Sequence, residues 1–547
     1  MHQCLQIREI LSNIFENVNR GKDPTRCATL AGLARTCQVF HDPALDILWD
    51  KISDLAHLIK CMPSDSWIEE ESPGGATITF TRSLAPPDWI RFQAYAARIK
   101  ILVAGTGHSY FVANRVRRAS SVDIKAFRAL SIFRPLCVLF PSLKELEWRY
   151  ASAEMFPYIH LFLAPGLLKF SLPKWPDRGM EQTTFLKSLA VISPLVDTFL
   201  LPFNQPDVVA PSAMAIIPDF AQLHTLTLGF DSLTPRHFVP LSRIARLRIL
   251  HLQIYGDVGP IRTQDLEREA QTLPEITSPP QRFASLRVLG MNEAPLSTCT
   301  EIIRWMSPAN LEELYLCPRN APSPPSLESH LQVISQCVSW TSLRDFDLSV
   351  LVGSTFILPQ DSVIIQPIIL KPLLSFKNIR RFVFDCGTPL TLDNAILDDI
   401  AAAWPKLEEL DLGETTGEDE FVSKVTLEGL VPFATRCPDL RTLRLLLDAD
   451  DALVGRQKPG SGVSNHSLRS LELGRSCISE SGAGAVAAFL SDLFPKLKTI
   501  VAWRDEDLDE SFSVREWANV ENLHSVFVRV REQERLHWAR SGTSSPS

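Results

Sequence analysis

A six-residue spacing, L-x-x-[LFI]-x-[LFMW], recurs along this chain and limits its folds more than any single motif does. It reads "PKLEELDLG" at 405–413 and returns as "FPSLKELEW", "FAQLHTLTLG", "ANLEELYL", "CPDLRTLRL" and "HSLRSLELG". Marked by their first apolar residue, the copies begin at Leu143, Leu167, Leu195, Leu223, Leu247, Leu286, Leu311, Leu343, Ile379, Leu407, Leu440, Leu468, Leu497 and Leu523. An earlier copy begins at Ile99 in "RIKILVAG", and Leu195 is the weakest, with Thr198 in its middle slot. Starts lie between 24 residues (Leu143 to Leu167) and 39 residues (Leu247 to Leu286) apart, around and above the roughly 20–29 of a leucine-rich repeat. In a strand, alternate side chains share a face, so positions i+3 and i+5 enter one core while i reaches it from the preceding turn. After each copy comes a polar turn and then a segment able to form a helix. In "SESGAGAVAAFLSDLF", Val486, Phe489, Leu490 and Leu493 fall at helical spacing. One strand–helix unit cannot bury its apolar side alone; stacked units can. The expected fold is therefore α/β: a curved leucine-rich-repeat solenoid with strands inside, helices outside, and insertions near Asp257–Pro280 and Gly353–Pro372. The leucines are architecture, without acid–base or nucleophilic capacity.

The first sixty residues follow another rule. "IREILSNIFENV" sets Ile7, Ile10, Leu11, Ile14, Phe15 and Val18 on one stripe of an amphipathic helix. A second helix reads "CATLAGLARTCQVF", with Leu30, Leu33, Ala34, Cys37 and Phe40 apolar. A third, "HDPALDILWDKI", has Asp42 as its N-cap, Pro43 at its first position and Leu45, Leu48, Trp49 and Ile52 on its face. Three helices of this size bury little surface alone. They pack on the solenoid or hold an apolar patch for a partner.

These residues resemble an F-box. Glu9-Ile10-Leu11, Ile14-Phe15, "LARTC" and Leu48-Trp49 follow its pattern, while Ile7-Arg8 replaces the usual Leu-Pro and Phe40 stands where tryptophan is common. With "PPDWIRFQAYAARIKIL" and the repeats, the layout resembles the F-box-like leucine-rich-repeat proteins of mushroom-forming fungi. The resemblance implies a non-catalytic substrate-recognition subunit of a Skp–cullin–F-box ubiquitin ligase. A Skp-family adaptor, and through it a cullin, would meet Ile7, Ile10, Leu11, Ile14, Phe15, Leu33, Cys37, Leu48 and Trp49. The plainer reading of Ile14, Leu33 and Leu48 is that they hold the three helices together. The alternative function is a non-catalytic scaffold or inhibitor whose N-terminal helices only cap the solenoid. The domains would be 1–60, the helical module; 61–540, the solenoid, with a linker and irregular first units over 61–140; and 541–547, a disordered tail.

Strand residues at i+2, i+4 and i+6 should leave the core side and form the inner wall. Among them are Glu145, Glu147, Asp197, Glu313, Asp345, Asp347, Asp385, Glu409, Asp411 and Glu472, against Arg149, Lys169, Arg381, Arg444 and Arg529. Acids lead, so the wall should be mildly negative and suit a target protein with a basic segment. Tyr315, Trp503, Phe199 and Phe527 occupy equivalent slots as anchors. The candidate target contacts are Glu313, Tyr315, Asp345, Asp347, Glu409, Asp411, Arg444, Glu472 and Trp503; the plain alternative is a solvated face.

Other chemistry finds no support in the residues. A net charge of −8 gives no general nucleic-acid footprint. "GTGHSY" (105–110) lacks the third glycine of a dinucleotide fingerprint, and no GxxxxGK[ST], GxSxG or HExxH occurs. Eleven scattered cysteines include no CxxC pair, so neither a zinc site nor any other cofactor is expected, and the pattern suits the cytosol or nucleus. No apolar run reaches the roughly 20 residues of a membrane span. "RVRRAS" (115–120) looks like a basophilic kinase target, with a solvated loop as the plainer reading. The lone sequon at Asn465 is irrelevant without secretion. "GETTGEDE" (413–420) reads as an exposed loop between repeats, and 531–540 as a capping helix.

Overall fold

The computed structural model describes residues 3–20, 25–72, 75–105, 110–112, 115–117, 121–135, 137–150, 152–172, 180–201, 214, 216–230, 232–254, 261–272, 282–350, 365–387, 390–413, 423–449, 463–502 and 512–541. The chain divides into two compact units: residues 1–249 with 255–257, and residues 250–254 with 258–547.

The first unit opens with helices α1 (Arg8–Arg20), α2 (Arg26–Ala34) and α3 (Gln38–Leu48). Leu11 and Phe15 of α1, Leu30 and Ala34 of α2, and Ala44 of α3 form their shared core. The second helix stops earlier than its apolar pattern suggests. Cys37 is extended (φ −158°, ψ 163°), and the His41 ring caps the end of α2 by donating from Nδ1 to the Ala34 carbonyl at 2.9 Å. The expected start at Asp42–Pro43 is corrected too: Pro43 lies inside α3. Phe40 meets Phe15 edge-on at 5.5 Å, which fixes the turn ahead of the proline in helical form. Pro43 is the sixth residue of α3, past the first four N–H groups that lack a partner, so it forgoes one backbone bond, to the Val39 carbonyl.

Strand Lys51–Ile52 follows α3 and pairs in parallel with Ile101–Ala104, so the ladder begins within the stretch expected to be purely helical. Glu145–Trp148, Lys169–Ser171, Thr198–Leu201 and Thr225–Phe230 then pair in parallel, one after another. Ile99 and Leu102 are buried, so the early copy is a true rung. An antiparallel hairpin, Trp67–Ser72 with Gly75–Phe80, is inserted after the first rung and takes Ser121–Val122 as a third strand.

One copy is out of phase with its pattern. Leu195 is 47% exposed, whereas Val196, Phe199 and Leu201 are buried. "LVDTFLL" contains two overlapping phases, and the one that buries Phe199 instead of Thr198 avoids placing a hydroxyl in the core. Phe199 is therefore core and not an anchor on the open side.

In the second unit, Ile249–Ile254 is hydrogen-bonded to Val288–Asn292. Glu313–Cys317, Asp345–Ser349, Arg381–Asp385, Glu409–Asp411, Thr442–Arg444, Ser470–Glu472 and Thr499–Val501 continue in parallel. One backbone bond repeats at each strand entry: N–H of Arg344, Arg380, Glu408, Arg441, Arg469 and Lys498 donates to the carbonyl of Glu312, Arg344, Arg380, Glu408, Arg441 and Arg469 respectively, at 2.7–2.9 Å. The i, i+3 and i+5 residues from Leu311 to Leu473 are buried throughout. Behind them, helix Leu296–Met306 packs on Pro324–Cys337, and Pro324–Cys337 and Asn394–Ala403 both pack on the 3-10 turn Pro367–Ser375. The copy at Leu523 is a correction: it lies in one helix, Phe512–Ser541, packed on Ala483–Leu493. Trp517, Val520 and His524 are its buried face, and Trp517 Nε1 donates to the Ser476 carbonyl at 3.0 Å.

Candidate protein-interaction surfaces

The first surface is on the helical module. At 3.6 residues per turn, the stripe on α1 splits into two flanks. Leu11, Phe15 and Val18 turn toward the module core. Ile7 and Ile14 remain 47% and 41% exposed, with Ile10 half-buried between them. Among the proposed adaptor contacts, then, Leu11 and Phe15 are fully covered by the module itself. Leu33 and Leu48 pack half-buried against the same core, and Cys37 is half-buried. Trp49 is stacked on Tyr95, with ring centroids 4.6 Å apart and planes at 19°. Val39, 43% exposed, was not singled out from sequence; its signal was a lone β-branched residue ahead of Phe40.

Ion pairs tie α3 to the first rungs. Arg98 reaches Asp42 at 2.6 Å and also pairs with Asp46, which Arg8 meets at 2.8 Å. The Arg98 guanidinium, by hydrogen bond and charge, holds the Asp42 carboxyl below its usual range. Lys100 pairs with Asp50 at 2.7 Å.

The second surface is the open side of the ladder in the second unit. In-register pairing sets Glu313, Asp345, Arg381, Glu409, Thr442 and Ser470 in one row, and Gly290, Tyr315, Asp347, Val383, Asp411, Arg444 and Glu472 in the next. Eight of the nine proposed target contacts thus come together on two adjacent rows; Trp503 lies outside the described residues. Phe527 and Arg529 belong to the terminal helix and not to this face.

The acids are not a uniform negative field. Arg381 bridges Asp347 at 2.9 Å and Glu409 at 3.3 Å. Arg444 pairs with Asp411 at 3.3 Å and donates from Nε to Glu472 at 2.9 Å. Glu313 accepts the Tyr315 hydroxyl at 2.8 Å. Among the described residues Asp345 forms no ion pair; burial, then the adjacent Glu313, raises its carboxyl. Burial also raises Asp385, despite a bond from the Gly387 N–H at 3.1 Å. Beside Tyr315, the His251 ring lies over Gly290, where a Cβ would come within 2.2 Å of Nδ1. Burial lowers the pKa of the His251 imidazole, against the opposing charge of Glu313. Sequence reasoning missed this pair; its trace was a glycine in an outward strand slot.

Other motifs resolve simply. Asn465 of the sequon is buried, its Nδ2 donating to the Cys437 carbonyl at 2.8 Å and its Oδ1 accepting two backbone N–H groups. Cys437 is buried between repeats, its thiol pushed up to about 12 by burial. The loop reading of "RVRRAS" is corrected at its start, since Arg115–Arg117 forms a strand paired with Tyr110–Val112, while 118–120, 106–109, 414–420 and 542–547 lie outside the described residues. Among the described residues no group of His, Cys, Asp and Glu is placed to hold a metal, and no helix is long and apolar enough to cross a membrane.

No family model matches the chain, and no curated protein matches it. Solved structures with low similarity include an internalin from Listeria monocytogenes, at 12% identity over 89% of this chain and 98% of that one, TM-score 0.31. The yeast Rad7–Elc1 complex matches at 16% identity over 63% and 78%, TM-score 0.31. A plant peptide hormone receptor, RGFR1 in complex with RGF2, matches at 12% identity over 75% and 56%, TM-score 0.32. Scores this low assign neither family nor function, and the architecture rests on the ladder itself.

Proposed function

We propose that this chain is a non-catalytic protein-recognition subunit of a Skp–cullin–F-box ubiquitin ligase. The outer flank of α1, through Ile7, Ile10 and Ile14, docks a Skp-family adaptor, with Leu33, Cys37, Val39, Leu48 and Trp49 around it. The open side of the second unit's ladder receives a target protein. One observation supports the adaptor reading: Ile14 on α1 and Ile7 just ahead of it remain exposed, while the helix's other flank already fills the module core. Exposed apolar residues grouped on one face mark a docking surface more often than a solvated one. Leu11 and Phe15 contribute by shaping the helix triplet.

The test is co-purification of the full chain with a Skp-family adaptor. Wild type retains the adaptor, and Ile7→Asp/Ile14→Asp loses it with an unchanged melting temperature. If wild type does not retain it, the capping reading replaces this one. That reading has its own support, the Trp49–Tyr95 stack and the Arg98 pairs to α3.

A further inference from the structure

The strand-entry edge of the second unit carries charge of the opposite sign to its open face. The i+1 residues of successive copies are Arg287, Glu312, Arg344, Arg380, Glu408, Arg441, Arg469 and Lys498. The repeated backbone bond described above fixes their order and spacing, with rungs about 4.8 Å apart. Six are basic and two acidic, in a chain whose net charge is −8. Each of the two glutamates pairs with two arginines of the row: Glu312 with Arg287 at 3.6 Å and Arg344 at 3.3 Å, Glu408 with Arg380 at 2.9 Å and Arg441 at 4.0 Å. Arg344, Arg380 and Arg441 nevertheless keep more than half of their side-chain surface in water. Lys377 and Lys406, in the turns feeding two of these strands, are exposed beside them, and Lys406 is hydrogen-bonded to Asn378 at 2.8 Å.

A second observation falls on the same edge. Three residues ahead of the first apolar residue, four of the unit's eight copies bury an aromatic side chain: Phe283, Phe376, Trp404 and Phe494. The copy at Leu343 has Trp340 in that position, 60% exposed. Val338 fills the core there instead, in a bridge to Ala309. Asn378, one residue from Lys377, donates to the Thr341 carbonyl at 2.8 Å, which sets the Trp340 turn against the basic edge. Tryptophan and arginine are the residues that most often dominate binding energy at interfaces.

We propose that this edge docks an extended, acidic protein segment, its carboxylates spread along Arg344, Arg380, Arg441 and Lys498 and an apolar side chain against Trp340. An extended peptide is narrow enough to follow a single row. A nucleic-acid backbone is a poorer fit, because its greater width would also carry phosphates over Glu313, Asp345 and Glu409, the next residues inward on the same strands, which a peptide held to the single row avoids. The proposal is independent of adaptor docking at α1.

The test is fluorescence anisotropy of the full chain with labelled octaglutamate, octalysine and octathymidylate. Octaglutamate should bind in preference to both others and more weakly as salt rises. Arg344→Gln/Arg380→Gln should weaken it about tenfold, with an unchanged melting temperature. A glutamate peptide carrying one leucine should bind wild type more tightly than Trp340→Ala, by about three- to tenfold. Equal affinity of wild type and the arginine double variant, no octaglutamate binding, or preference for octathymidylate would each overturn the proposal. The reading of α1 is tested separately by adaptor co-purification and survives any of these results.

Discussion

Leu410 and Leu195 both belong to the apolar pattern, at a middle and a first slot, and should behave very differently when shortened. Leu410 is fully buried on strand Glu409–Asp411, between Phe382 and Leu443 on its neighbours. The Phe382 ring packs 4.5 Å from Trp404 and 5.3 Å from Phe346, so rigid aromatic groups line the space a smaller residue would leave. Leu410→Ala loses about 2 kcal/mol of transfer energy, and a residual cavity of about 60–80 Å³ at about 24 cal/mol per Å³ adds about 1.5–2 kcal/mol. The expected loss is therefore about 3.5–4 kcal/mol, in the upper half of the usual range because the rings cannot collapse inward. Leu195 is half in water, and Leu195→Ala should cost below about 0.5 kcal/mol. Urea unfolding followed by far-UV circular dichroism, with the m-value compared between variants, measures both. Similar losses for the two variants, or a loss below about 1 kcal/mol at Leu410, would refute the assignment of phase and core.

Two further predictions concern individual groups. His330 is buried with Nδ1 on the Thr300 hydroxyl at 2.7 Å, and burial pushes its imidazole down to about 3. The unfolded chain binds that proton near pH 6.5, so stability is full above that value and falls as pH drops toward 3, by up to about 1.4 kcal/mol per pH unit. His330→Leu should flatten this acid limb relative to wild type in melting scans from pH 7 to 4; parallel limbs would count against it. Gly290→Ala should destabilise by about 1–3 kcal/mol through collision with His251, and His251→Ala in the same chain should remove most of the loss. Additive losses in that double-variant cycle would mean the two do not share space.

The ladder was legible because burial at i, i+3 and i+5 repeats with every rung, and no other periodic element reproduces that pattern many times over. Legibility failed where two phases or two elements fit the same residues. "LVDTFLL" satisfies two strand registers, and only the competition between Thr198 and Phe199 for the core separates them. "NLHSVFV" suits a strand as well as a helix, and the decision came from Trp517 and Val520, which extend a helical face upstream. On the candidate sites, the strand pattern says which slots face outward, but charge pairing is invisible in it: nothing local tells that Arg381 turns to Asp347 and Glu409, or that Asp345 forms no ion pair among the described residues. The two flanks of α1 were merged for a similar reason, since a wide apolar stripe does not say which half meets the protein's own core. The basic edge went unread because i+1 residues were treated as spacers between leucines.

Amide hydrogen exchange on the full chain, resolved by mass spectrometry, tests most directly whether these short strands form one hydrogen-bonded series in the second unit. Slow exchange is expected at every rung from Glu313–Cys317 to Ser470–Glu472, including the strand-entry amides of Arg344, Arg380, Glu408, Arg441 and Arg469. Rapid exchange across three or more consecutive rungs, under conditions where the helices between them remain protected, would contradict the ladder and every surface assigned to it.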